Sequence, residues 1–95
     1  MSYIVAEAAA EDLIDILAHG AEMYGETIAR AYHNGLHETF ELLGSFPELA
    51  HLRTELNPPV RVHPYGAHVI VYEASPDGGV RILRVRHANE DWLNP

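Results

Sequence analysis

The fold is decided by residues 66–87, GAHVIVYEASPDGGVRILRVRH. Two runs rich in β-branched residues, 67–74 and 80–87, flank the segment SPDGG at 75–79. Proline and aspartate favour a reverse turn, and glycine supplies the positive φ that a tight turn requires. The stretch therefore predicts two antiparallel strands joined by a turn.

Both faces of this predicted hairpin carry large apolar side chains. Strict alternation places Ile70 and Tyr72 on one face and the valines between them on the other, and it places Arg84 on the same face as Ile82. Antiparallel sheets with one solvated face normally alternate cleanly between apolar and polar residues. We therefore expect one face to be covered by the rest of the chain and the other to be a partner-binding surface bordered by Arg and His. The alternative is that the connector or the tail, with Trp92 as its plug, covers the second face.

The residues that precede the hairpin predict helices. Apolar residues recur at three- and four-residue spacing through two segments, with a break near Gly25 and an end at Gly44. We expect a single α+β domain over residues 1–95, with an N-terminal helical hairpin packed on a small, mostly antiparallel β-sheet. Its predicted elements are an edge strand at 2–5, the helical hairpin at 8–44, a three-stranded antiparallel sheet at 60–87 (strands at 60–64, 67–74 and 80–87) and a tail at 88–95.

The charge is large and unevenly distributed. The net charge is −8, all six basic residues are arginine, and residues 1–48 contain nine acids and one base, Arg30. Nucleic-acid binding normally depends on clustered Lys and Arg, so we do not expect free nucleic acid as a direct partner. A protein partner that meets the acidic half should carry Arg or Lys there, and its own acids should pair with Arg81, Arg84 or Arg86.

Other bulk features bear on where the chain acts. There is no cysteine, no apolar run approaches the roughly 20 residues that cross a bilayer, and the N-terminus lacks the basic region of a signal peptide. We expect a cytoplasmic protein that does not bind membranes.

The segments RVHPYGAHVIVY (61–72) and ILRVRH (82–87) resemble the ParE toxins of the RelE/ParE superfamily. The family pattern has an arginine, a Gly-x-His start to an apolar strand that ends in Tyr, and a last strand reading Arg-Val-x-His. The Tyr24-Gly25 junction and the sequence FPEL at 46–49 agree with it as well. The resemblance covers nearly the whole chain.

The resemblance implies the toxin of a type II toxin–antitoxin system, of the kind that contributes to plasmid or chromosomal stability. It implies a ParD-like antitoxin, a ribbon-helix-helix protein whose C-terminal segment wraps into the groove between helices and sheet, and DNA gyrase as a target inhibited by direct binding. The alternatives are a ribosome-dependent mRNA endonuclease of the RelE type and a ParE-shaped protein with another target. The chain has no lysine and has His68 where those nucleases carry an arginine, so we do not expect an enzyme.

We predict no catalytic residue, no metal and no cofactor. His33 and His37 have the spacing of two metal ligands on one helix face, but no third ligand is evident, and solvated histidines are the simpler interpretation. His68 and His87 are partner contacts, residual acid/base groups or hydrogen-bonded strand residues. The candidates for antitoxin or target binding are Arg61, His68, Ile70, Tyr72, Arg81, Ile82, Arg84, Arg86, His87 and Trp92.

Overall fold

The computed structural model describes residues 3–90 and shows two helices packed on a five-stranded sheet. The elements are β1 (Tyr3–Val5), α1 (Glu7–Tyr24), α2 (Glu26–Ser45), β2 (Leu52–Arg53), β3 (Val60–Tyr65), β4 (His68–Ala74) and β5 (Val80–His87). The strand order is β1-β5-β4-β3-β2, and every neighbouring pair is antiparallel except β1 and β5, which are parallel. The predicted α+β fold, with a helical hairpin on a mostly antiparallel sheet, is confirmed.

Two predicted boundaries are corrected. The sequence predicts no strand between the helices and residue 60, but Leu52–Arg53 forms β2 and pairs with β3, so the antiparallel part has four strands rather than three. The second helix also runs through Gly44 to Ser45, because Gly44 is buried inside the last turn and does not end it. The break between the helices is at Gly25, whose φ of 91° is a conformation that glycine adopts without strain. Residue 2 of the predicted edge strand and residues 91–95 of the predicted tail lie outside the described residues.

The core lies between the helices and one face of the sheet. Leu36 and Phe40 of α2 are fully buried there, in a cluster with residues of α1, the connector and the sheet. The core cluster comprises Ala9, Leu13, Leu36, Phe40, Leu43, Ala50, Ile70, Tyr72, Val80, Ile82 and Val85.

A register shift in β5 changes which of its side chains face the core. Tyr72 pairs with Ile82 and Val71 pairs with Arg84, so Leu83 has no partner across the strand pair. An extra residue on one strand shifts the alternation of the residues that follow it. Val85, only 3% exposed, therefore continues the buried row after Ile82. The prediction that Arg84 shares a face with Ile82 is wrong for this reason.

The opposite face of the sheet carries half-buried valines, including Val69 and Val71. The start of the connector packs on the core side instead. The hydroxyl of Tyr72 donates to the carbonyl of Pro47 and accepts from the amide of Ala50. Within residues 3–90, neither helix is long and apolar enough to cross a bilayer.

Candidate functional site

A groove opens between the helical hairpin and one end of the sheet. We call it the apolar groove; its cavity volume is about 510 Å³. It is bordered by the second half of α1, the start of α2, the β3–β4 turn and the end of β5. The lining residues are Asp15, Ile16, His19, Tyr24, Ile28, Tyr32, Ala67, His68 and His87.

The groove exists because the apolar stripe of α2 is longer than the sheet beneath it. Leu36 is fully buried in the core, whereas Ile28, on the same helix face, is 60% exposed. Eight residues of helix span about 12 Å, which carries Ile28 beyond the core. The exposed side chain of Tyr24 lies beside it, so the hairpin presents an apolar surface that the described residues leave open.

Tyr32 fixes the floor of the apolar groove through three hydrogen-bond partners. Its hydroxyl lies 3.0 Å from the carbonyl of Tyr65, 3.2 Å from the amide of Ala67 and 2.7 Å from Nδ1 of His68. A hydroxyl has one proton to donate and two lone pairs that accept. The amide can only donate and the carbonyl can only accept, so all three bonds form together only when Nδ1 of His68 carries a proton.

This arrangement leaves Nε2 of His68 as a hydrogen-bond acceptor on a ring that lines the groove. Burial lowers the pKa of His68, and the nearby His87, at a ring-centroid distance of 5.4 Å, lowers it further, while the negative charge of Glu90 offsets part of this lowering. Burial also raises the pKa of Tyr32, so its hydroxyl keeps its proton. The lowered pKa favours the neutral ring, and the bond to Tyr32 orients it. His68 is thus a hydrogen-bonded strand residue, which was one of the predicted alternatives.

Two glycines hold the tyrosines in place. A Cβ at Gly66 would lie 2.6 Å from the hydroxyl of Tyr32, and a Cβ at Gly35 would overlap the hydroxyl of Tyr65. The two tyrosine rings meet edge to face at a centroid distance of 5.1 Å. The ring of Tyr32 on α2 thus packs over Gly66 of the β3–β4 turn, and the ring of Tyr65 at the end of β3 packs over Gly35 of α2. These two contacts fix the turn against α2.

A second cavity, which we call the polar pocket, adjoins the apolar groove and has a volume of about 310 Å³. On one side of it, Asp12 of α1 accepts two hydrogen bonds from Arg84, at 2.8 and 3.0 Å, and one from the backbone N–H of Val85 at 2.9 Å. The hydrogen bonds that Arg84 donates to this carboxylate raise the pKa of Arg84. Asp12 thereby joins α1 to β5 beyond the point where β1 stops pairing with that strand.

The other side of the polar pocket contains Glu90. It accepts two hydrogen bonds from Arg86, at 3.2 and 3.0 Å, and one from the backbone N–H of His87 at 2.8 Å. These bonds lower the pKa of Glu90 to about 2. Both arginines of the pocket are therefore already paired with carboxylates.

The structure brings some of the predicted site residues together and separates others. His68, Arg84, Arg86 and His87 meet around the two cavities. The side chains of Ile70, Tyr72 and Ile82 are fully buried, so they support the site from beneath and are not surface contacts. Arg61 donates to the carbonyl of Ala50 at 2.6 Å, and Arg81 lies 3.7 Å from Glu73 on the surface. Trp92 lies outside the described residues.

The sequence reading missed the helical side of the groove. Ile28, Tyr24 and Asp15 are not among the predicted binding residues. The sequence feature that could have revealed this side is the apolar stripe of α2, which begins at the start of the helix, well before the residues that contact the sheet.

Within the described part of the chain, the predicted pair of histidines on α2 does not form a metal site with a third ligand. The ring centroids of His33 and His37 are 4.7 Å apart, and the hydroxyl of Tyr3 lies 2.8 Å from Nδ1 of His37. Residues 3–90 contain no group of three or more side chains suited to a metal ion.

Comparisons with known proteins agree with this architecture. A family model described as the ParE toxin of the type II toxin-antitoxin system, parDE, matches residues 3–92. A solved chain from the chromosomal ParDE toxin–antitoxin system of P. aeruginosa has the same fold, with a TM-score of 0.75 and 22% sequence identity. The match covers 92% of this chain and 95% of that one. No curated protein sequence matches this one.

Proposed function

This chain belongs to the ParE toxin family of type II toxin–antitoxin systems, and from that premise we propose that it acts by binding proteins rather than by catalysis. A ParD-like antitoxin binds in the apolar groove and neutralises the toxin. The target of the free toxin is DNA gyrase, which is inhibited by direct contact. Both partners place the protein in the cytoplasm.

The observation that carries the proposal is the open apolar groove. Ile28 and Tyr24 are each exposed by more than half, at 60% and 65%. Apolar side chains grouped in a groove and bordered by polar residues are typical of a protein-interaction site. The spacing of a partner helix, with apolar residues at i, i+3 and i+4, suits a groove of this kind.

The polar pocket supports binding over RNA cleavage. Cleavage of a phosphodiester requires positive charge at the developing dianion. Arg84 and Arg86 are each held by a carboxylate, and Glu90 is ionised at any physiological pH because its pKa is about 2. An RNA phosphate in this pocket would be repelled by the carboxylates of Asp12 and Glu90, and it would have to displace one of them to bind Arg84 or Arg86.

The antitoxin part of the proposal is tested with the protein encoded by the reading frame next to this one. Its affinity for the toxin is measured by titration calorimetry. Burying an isoleucine side chain is worth about 1.5–3 kcal/mol, so Ile28→Ser should weaken binding by about ten- to a hundredfold. Ile14→Ser is the matched control, because Ile14 is 67% exposed and does not line the groove. Equal affinities for the two variants would contradict the proposal.

The target is tested with purified gyrase. The toxin should abolish supercoiling and trap cleaved DNA, and addition of the neighbouring protein should reverse both effects. Truncated messenger RNA in a translating extract, with gyrase unaffected, would replace this proposal with the endonuclease alternative. Tight antitoxin binding with neither effect would leave the antitoxin part standing and overturn the target.

A further inference from the structure

The arginines of this chain are all engaged within the chain. Five of the six form ion pairs with carboxylates, and Arg61 bonds a backbone carbonyl. Because the sequence contains no lysine, no other side chain of the sequence carries a permanent positive charge. The excess of acids over arginines is therefore not compensated by the chain itself.

The uncompensated acids are concentrated on the helices, and one row of them borders the apolar groove. Glu11, Asp15, His19 and Glu22 follow one another on α1 at spacings of four, four and three residues, which places them on one helix face. Asp15 and His19 line the groove. Within residues 3–90, none of the three acids in this row lies within ion-pair distance of an arginine, and all three are exposed. Glu11 is nevertheless near enough to Arg84 to help raise the pKa of that arginine. We call this row the acidic rim.

We propose that the acidic rim is a recognition site for Arg or Lys on the partner helix that occupies the groove. The inference rests on the proposed function, since it concerns the same groove. The occupant is an amphipathic helix whose apolar face contacts Ile28 and Tyr24 and whose flank carries positive charge. The nearest arginines, Arg84 and Arg86, are already paired, so an acidic flank would find no free cation beside the groove and would face the rim directly.

The geometry of His68 favours the same occupant. When Nδ1 carries the proton of the neutral ring, Nε2 is left as an acceptor, so a partner group placed against it must be a donor. Arg and Lys side chains are donors without an acceptor, whereas an ionised Asp or Glu is an acceptor only. The rim and the histidine thus select the same class of side chain from two sides of the groove.

The test uses the full chain and two synthetic helical peptides of about 16 residues, roughly 24 Å of helix. The peptides have the same leucine positions and differ only in carrying Arg or Glu along one flank. Binding is followed by amide shifts of the groove residues in NMR titrations. We expect the arginine peptide to bind at least about tenfold more tightly, with a preference that decreases as salt rises.

Matched variants locate the effect. The double variant Asp15→Asn with Glu22→Gln removes two exposed ion pairs with the arginine peptide. It should therefore reduce the ratio of the two peptide affinities by about three- to tenfold. The control, Glu38→Gln with Glu48→Gln, removes the same charge from exposed positions that do not line the groove, and it should leave the preference nearly unchanged.

The outcomes separate the inference from the proposed function. Equal or tighter binding of the glutamate peptide in the groove overturns the inference and leaves the groove as a helix-binding site. An equal effect of the two double variants also overturns it, because the preference would then reflect net charge alone. Absence of binding by either peptide at millimolar concentration overturns the groove as a helix site, and the inference with it.

Discussion

The contact of Asp12 with β5 gives the sharpest prediction for stability. Replacing Asp12 by alanine removes the acceptor of the Val85 backbone N–H and of two Arg84 bonds. β1 stops pairing with β5 at Ile82, so at Val85 only β4 pairs with β5 among the described strands. The substitution should therefore loosen the junction between α1 and the end of β5.

The magnitude follows from the two kinds of bond that are lost. Leaving a buried backbone donor without an acceptor costs about 1–3 kcal/mol. The ion pair adds about 0–1 kcal/mol, because the side chain of Arg84 is 40% exposed and solvent screens it. The free energy of unfolding should fall by about 1–4 kcal/mol, which lowers Tm by about 4–30 °C in a chain of this size.

The assay is urea and thermal denaturation followed by circular dichroism. Asp15→Ala is the control, since Asp15 lies one turn further along the same helix, is exposed and forms no ion pair within residues 3–90; it should change stability by less than about 0.5 kcal/mol. Asp12→Asn keeps one acceptor oxygen and should fall between the two. If Asp12→Ala unfolds within about 0.5 kcal/mol of the unmodified chain, the carboxylate does not hold β5 as described.

Three further predictions concern buried hydroxyls and histidines. Tyr72→Phe leaves two connector backbone groups unpaired and should cost about 1–3 kcal/mol in denaturant titrations; Tyr65→Phe removes a hydroxyl with no hydrogen bond in the described chain, so a comparable loss there would contradict the reasoning. The ¹⁵N spectrum of His68 should show the Nδ1–H tautomer, and Tyr32→Phe should shift it toward Nε2–H; an Nε2–H tautomer in the unmodified chain would refute the hydrogen-bond assignment. Burial lowers the pKa of His37 and His68 below the ordinary value of 6.5. As the pH decreases, these histidines therefore bind protons in the unfolded chain before they do so in the folded chain, and the free energy of unfolding should decrease below pH 6.5. A melting temperature that stays constant from neutral pH to pH values well below 6.5 would contradict this.

Most of the fold was accessible from the sequence because its signals are local. The turn at 75–79 and the apolar periodicity of the two helices are each visible within about ten residues. β2 was missed because Leu52 and Arg53 form a strand only by pairing with β3, and two residues in a polar connector carry no periodicity of their own. The register shift at Leu83 was not predicted because an apolar residue within a β-strand pattern gives no local indication that it lacks a partner on β4.

The site was harder to predict because it depends on which sheet face the helices cover. Ile70 and Tyr72 alternate with equally apolar valines, so periodicity alone could not show that they belong to the core. The groove arises from the relative lengths of α2 and the sheet, which only the packed structure fixes. His68 and His87 were found because the first begins one strand of the family motif and the second ends another, and the structure brings them to the edge of the groove.

The parallel pairing of β1 with β5 has a consequence for synthesis on the ribosome. The first strand to be made has the last strand as its only neighbour in the sheet, so it must wait for almost the entire chain. Until β4 and β5 have emerged, Leu36 and Phe40 have no sheet to pack on, and contacts this distant in sequence form slowly. A nascent chain released before residue 82 lacks part of the register that closes the sheet, so we expect interrupted translation to yield a polypeptide that does not reach this fold.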